Sequence, residues 1–116
     1  MEMAVSMNAM NPENVPSEAL PPVPLKVLSL MLGSRHRLGM LREIAHSGDG
    51  LIVMELAERL RLPRTNAAKH LKALRVNGLV VANRAKMHRI PPGRLISQEQ
   101  AVIDYGSVLL RLGGVK

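Results

Sequence analysis

The strongest constraint on the fold of this chain lies between Met54 and Val81, where two apolar stripes of helical spacing are separated by almost nothing. Leu56, Ala57 and Leu60 mark the inner face of a short helix over about Met54 to Leu60. Ala67, Leu71 and Leu74 follow at spacings of four and three, the inner face of a second helix from Pro63 or Arg64 to about Val76. Arg61-Leu62 is all that remains for the turn. Asn77-Gly78 ends the second helix, because glycine reaches the left-handed conformation that closes a helix. Two helices joined so tightly must cross at a steep angle and bury facing stripes, leaving the outer face of the second exposed.

That outer face is cationic. From Arg59 to Ser97 there are ten basic side chains and no acidic one: Arg59, Arg61, Arg64, Lys69, Lys72, Arg75, Arg84, Lys86, Arg89 and Arg94. Over the whole chain the formal charge is +7. Residues 1–24 hold Glu2, Glu13 and Glu18 and no Lys or Arg, which leaves +10 on the rest. Such a surface favours polyanions. One tyrosine, no phenylalanine and no tryptophan argue against readers of single-stranded nucleic acid, which stack bases on aromatic platforms. A cationic helix held by a helix–turn unit has the shape that enters the major groove of double-stranded DNA.

The flanking segments extend the pattern. Residues 1–24, rich in Pro and Met, keep neither helical nor strand period and are expected to form a disordered tail ahead of one domain over 25–116. Leu25 to Leu32 reads as a first helix entered after Pro24 and ended by Gly33. Ser34 caps a second, with Leu38, Leu41 and Ala45 inward and Ile44 supporting them. Leu51-Ile-Val53 reads as a short strand. Leu79–Ala82 and Met87–Ile90 read as a hairpin with a basic tip, stopped by Pro91-Pro92-Gly93. Ser97 with Gln100 has the spacing of a capping box, and Val102, Tyr105, Leu109 and Leu112 suggest a last helix. The expected fold is mainly α with a small β-hairpin: a winged helix-turn-helix of about five helices plus a two- or three-stranded wing.

Two stretches carry a family likeness. One is Ser34-Arg-His-Arg-Leu-Gly-Met-Leu-Arg-Glu-Ile44. The other is Glu55-Leu-Ala-Glu-Arg-Leu, followed by Lys69-His-Leu-Lys-Ala-Leu and Gly78-Leu-Val. With them, from Ser34 to Ile90, the chain resembles the ArsR-type bacterial transcriptional regulators. The resemblance implies a homodimer that represses transcription from a partly palindromic operator, with first and last helices at the dimer interface. Here these would contribute Leu25, Leu28, Leu32, Val102, Tyr105, Leu109 and Leu112. Pro63 departs from the family's usual serine cap. Ile52 and Met54 stand where metal-sensing members carry cysteines, and the last segment has Asp104 but no histidine.

With the apolar stripe inward, the DNA contacts are expected from Arg64, Thr65, Asn66, Lys69, His70 and Lys72 on the helix and from Arg84, Lys86 and Arg89 on the wing. Arginine can bond a guanine edge bidentately and asparagine an adenine edge, while lysines suit phosphates. A sequence-neutral architectural DNA-binding protein and a winged-helix protein-interaction module are the alternatives, because fold alone does not decide function. No cysteine is present, and His36, His46, His70 and His88 lack ligand spacing, so no metal or cofactor is expected. Scattered carboxylates and no phosphate-cradling glycine loop argue against an enzyme. No apolar run reaches membrane-spanning length. The expected location is the bacterial cytoplasm and its nucleoid, with double-stranded DNA as partner. No residue pattern identifies an effector.

Overall fold

The computed structural model describes residues 20–113. Helices α1 (Leu25–Met31), α2 (Arg35–Ser47), α3 (Val53–Leu60) and α4 (Arg64–Val76) come first. The wing follows as β1 (Val81–Ala82) and β2 (His88–Arg89). A 3-10 turn at Pro92–Arg94 then leads into β3 (Leu95–Ser97), β4 (Val102–Asp104) and β5 (Leu109–Arg111). The fold is mainly helical, with a helix-turn-helix and two small antiparallel sheets.

Each helix boundary has a local cause. Ser34 Oγ accepts the Arg37 backbone N–H at 3.3 Å and starts α2. Glu55 Oε1 accepts the Ile52 N–H at 3.0 Å at the start of α3. Arg61 takes a left-handed conformation with φ 56°, which lets Leu62 N donate to Ala57 O at 2.9 Å and turns the chain sharply into α4. Gly78, with φ 83°, ends α4, and Leu79 N donates back to Leu74 O at 2.9 Å.

The core forms where the helices cross. Leu28 of α1, Met40, Leu41 and Ile44 of α2, Leu56 of α3, and Ala67, Leu71 and Leu74 of α4 are all buried. Leu38, expected inward on α2, is half-buried, and Met40 takes the deeper place. The expected strand at Leu51-Ile-Val53 shrinks to one bridge. Leu51 exchanges two backbone hydrogen bonds with His88, at 2.7 and 2.9 Å, while Val53 already begins α3. The wing is thus a hairpin with a single-residue third member. Val81 pairs with Arg89 and Ala82 with His88. Its turn is fastened by Asn83, whose Oδ1 accepts from Met87 N at 3.0 Å.

The expected last helix over Ser97–Leu112 is not formed. Ser97 Oγ does accept from Gln100 N at 3.1 Å, but the bond closes a turn instead of starting a helix. The chain then runs β4, a turn at Tyr105–Val108, and β5. The physical reason is local as well as tertiary. Ala101, Val102 and Ile103 are buried consecutively, a pattern too wide for one helical stripe. Gly106 has φ 90°, and an added Cβ there would lie 2.7 Å from Pro22. Asp104 Oδ1 accepts from Gly106 N at 2.9 Å and sets the turn.

The proposed boundary of the N-terminal tail also moves. Residues 20–24 belong to the fold, and residues 1–19 lie outside the described residues. Val23 is buried. Its N–H donates to Tyr105 O at 2.9 Å and its carbonyl accepts from Ser107 Oγ at 2.6 Å. This strap closes over the β4–β5 turn.

Candidate nucleic-acid interface

Helix α4 turns Ala67, Leu71 and Leu74 into the core, so its other faces are set by geometry. Arg64, Thr65, Asn66, Lys69 and Lys72 are exposed, and His70 is half-buried. Pro63 occupies the N-cap without a side-chain cap, and no acidic residue lies in the first turn. Pro63 thus supplies no side-chain acceptor to the first amides of α4, and no carboxylate of that turn opposes an anion at this end of the helix dipole. On the wing, Arg84 and Lys86 are exposed at the tip and Arg89 is half-buried in β2.

Between the two lies a groove of about 640 Å³. Its walls include Val53, Ala68 and Leu71, and Arg64, Lys72, Arg75 and Lys86 also line it. Cations from the helix and the wing thus share one concavity, where low-dielectric walls strengthen their field. Arg75 Nη1 donates to His88 Nε2 across 3.1 Å and ties the helix to the wing. Burial, then the Arg75 charge, pull the His88 pKa below its ordinary value, with the carbonyls of Lys86 and Leu51 opposing. His88 is a buried strut of the wing and not a surface contact.

Not every cation in the basic stretch belongs to this surface. Arg94 is buried, donates to Pro21 O and to Asp104 O, and stands 5.8 Å from the centre of the Tyr105 ring. Arg59 is paired with Glu43 at 3.3 Å. A count of charges cannot separate such structural arginines from binding ones.

Reading the sequence missed Arg37. From α2 its Nε and Nη2 donate to Met31 O and Leu30 O, at 2.7 and 3.1 Å, and so hold the end of α1. Its Nη1 lies 3.2 Å from His70 Nδ1. The His36 ring stands 5.7 Å from the His70 ring. The His70 pKa is lowered, first by burial, then by Arg37 and His36. The spacing of 33 residues between Arg37 and His70 offers no local signal of the contact.

The residues expected at a dimer interface divide. Leu28 and Tyr105 are fully buried within the single chain, and Val102 is 5% exposed, so these three serve the monomer. Tyr105 Oη donates to Leu79 O at 2.8 Å, and burial raises its pKa. Leu32 and Leu112 are partly buried against the core. Leu25 and Leu109 remain exposed. Since 98–112 forms strands, no helical face is present there to pair.

Among the described residues no group of three or more His, Cys, Asp or Glu is placed to hold a metal ion. Among them, too, no helix is long and apolar enough to cross a membrane.

No curated protein matches this sequence, and no solved structure matches it. Residues 32–81, from the end of α1 to the first residue of β1, match the model of a family described as a helix-turn-helix domain. The chain therefore carries a helix-turn-helix domain, set within a mainly helical fold with a β wing.

Proposed function

We propose that this protein is a transcriptional regulator that binds double-stranded DNA sequence-specifically, with α4 in the major groove and the wing against the flanking backbone. The observation that carries the reading is the exposed row Arg64, Thr65, Asn66 and Lys69 on α4, beside Arg84 and Lys86 of the wing. Arg64 and Asn66 have the bidentate geometry suited to guanine and adenine edges. Lys69, Lys72, Arg84, Lys86 and Arg89 suit phosphate oxygens, and His70 completes the contact set. The finer reading is an ArsR-like repressor acting as a homodimer on a partly palindromic operator. A second copy would use Leu25 and Leu30 of α1 or the sheet's exposed Ile96 and Leu109, since Leu28 and Tyr105 are consumed by the monomer core.

The test is selection from fragmented genomic duplex DNA at about 150 mM salt, with excess nonspecific competitor. The expected result is a shared motif with half-sites about one helical turn, roughly 10 base pairs, apart. Retention without a motif would replace the regulator with an architectural DNA-coating protein. No retention would point to a protein-interaction module.

A further inference from the structure

The contact between Arg37 and His70 determines more than packing. A guanidinium has five N–H donors and no acceptor. Nη1 of Arg37 lies 3.2 Å from Nδ1 of His70, so Nδ1 must offer its lone pair. A protonated imidazole would set N–H against N–H at that distance. A neutral ring with its lone pair on Nδ1 carries its hydrogen on Nε2. Arg37 cannot easily swing away, because Met31 O and Leu30 O hold its Nε and Nη2. The charged or titratable groups acting on the ring from α2 are Arg37 and His36, neither of which favours a second proton. From α1, the Leu30 and Met31 carbonyls accept from Arg37 and add no charge beside the ring. On α4 itself, Lys69 precedes His70, and Asn66 lies one turn before it.

We propose that Arg37 is a positioning residue that holds His70 as a neutral imidazole protonated at Nε2, so that His70 donates one hydrogen bond to an acceptor atom of bound DNA. The inference rests on the DNA-binding reading above and sharpens it. A histidine approaching phosphates ordinarily gains a proton and becomes one more cation. Here the α2 arginine withholds that option, and His70 acts as a directional donor. Its partner is an acceptor, either a phosphate oxygen or an atom such as guanine O6 or N7, and never a donor such as the cytosine amino group.

The experiment uses the full chain and a duplex recovered by selection from a random-sequence pool, with the His70 ring nitrogens observed by NMR at pH 6 to 7.5. The free protein is expected to show an unprotonated Nδ1 and a protonated Nε2, and the Nε2–H resonance is expected to shift when duplex is added. Arg37→Met should let the ring exchange with its charged form. His70→Leu should weaken binding roughly two- to tenfold, and His70→Gln, which keeps a donor near the Nε2 position, should restore most of it. A loss that is equal on every duplex identifies a phosphate partner, and a loss confined to the selected duplex identifies a base. A ring that is charged or protonated at Nδ1 in the free protein, or unmoved by a duplex that binds, overturns the proposal while leaving DNA binding intact. If no duplex binds, the regulator reading itself fails, and the donor role with it.

Discussion

The two halves of this molecule are held together by different means. The unit from α2 to α4 is closed by aliphatic side chains from elements adjacent in sequence, with Leu41, Leu56, Ala67, Leu71 and Leu74 meeting in one core. The segment from Arg94 to Leu112 also places Ala101, Ile103 and Tyr105 in that core, but adds polar anchors of long reach. Arg94 reaches Pro21, Tyr105 reaches Leu79, Ser107 reaches Val23, and Leu112 O accepts from Arg42 Nε at 3.1 Å. Apolar closure of the first kind is non-directional and leaves a helix's outer face free to carry charge. Polar closure of the second kind is directional and occupies Arg94 as an internal anchor. The difference fits the gathering of exposed cations on α4 and the wing, at Arg64, Lys69, Lys72, Arg84 and Lys86.

The largest expected effect breaks the apolar half. Leu71 is 1% exposed. Leu71→Ala should cost about 2–5 kcal/mol, a large share of the stability of a domain this size. Urea denaturation followed by circular dichroism measures it, and a loss below about 1 kcal/mol would contradict the close-packed core described for α4.

Next comes the polar half. Gly106→Ala would put a Cβ 2.7 Å from Pro22 at a residue whose φ is 90°. The strap must then shift or release, at a cost of about 1–3 kcal/mol. DNA affinity measured below the melting transition should stay unchanged. A parallel loss of affinity would mean that the strap and the α4 surface are coupled.

The surface substitutions should separate function from stability altogether. Arg64→Ala is expected to relax base preference by about 1–3 kcal/mol at one position. Lys69→Ala is expected to weaken all sequences alike and reduce the salt slope by about one. Both should leave the melting temperature nearly unchanged, and calorimetry beside fluorescence anisotropy checks this.

The smallest effect is on pH. His88 and His70 have folded-state pKa values below their ordinary 6.5. The unfolded chain therefore binds more protons as the pH drops through 6.5, so stability is full above that value and falls below it. His88 is the more buried of the two and carries the larger share, while solvent screens His70. Thermal melts at pH 7.5 and 5.5 should show the loss, and His88→Asn should remove part of it. A melting temperature that rose on acidification would reverse the sign of this argument.

Much of the helix-turn-helix was legible in the chain. The spacing of Ala67, Leu71 and Leu74 oriented α4, Asn77-Gly78 ended it, and the outward cations followed. The turn at Arg61, by contrast, uses a left-handed arginine where glycine or asparagine would have been the readable signal. The C-terminal segment misled because Val102, Tyr105, Leu109 and Leu112 satisfy a helical spacing, while Val102-Ile103 and Leu109-Leu110 satisfy a strand pair equally well. Gly106 between them was the local cue for the second alternative.

What the sequence determined by itself was the tightly joined helix pair, the side of α4 turned outward, and the sign of its charge, because side chains at helical spacing are bound to one face whatever surrounds them. The tertiary structure alone decided that Ser97–Leu112 is a sheet, that Leu28 and Tyr105 belong to the monomer core, that Arg94 is an anchor, and that Arg37 meets His70. Each of those depends on which distant backbone or side chain supplies the partner for a buried polar group or an apolar face, and no local spacing encodes a partner tens of residues away.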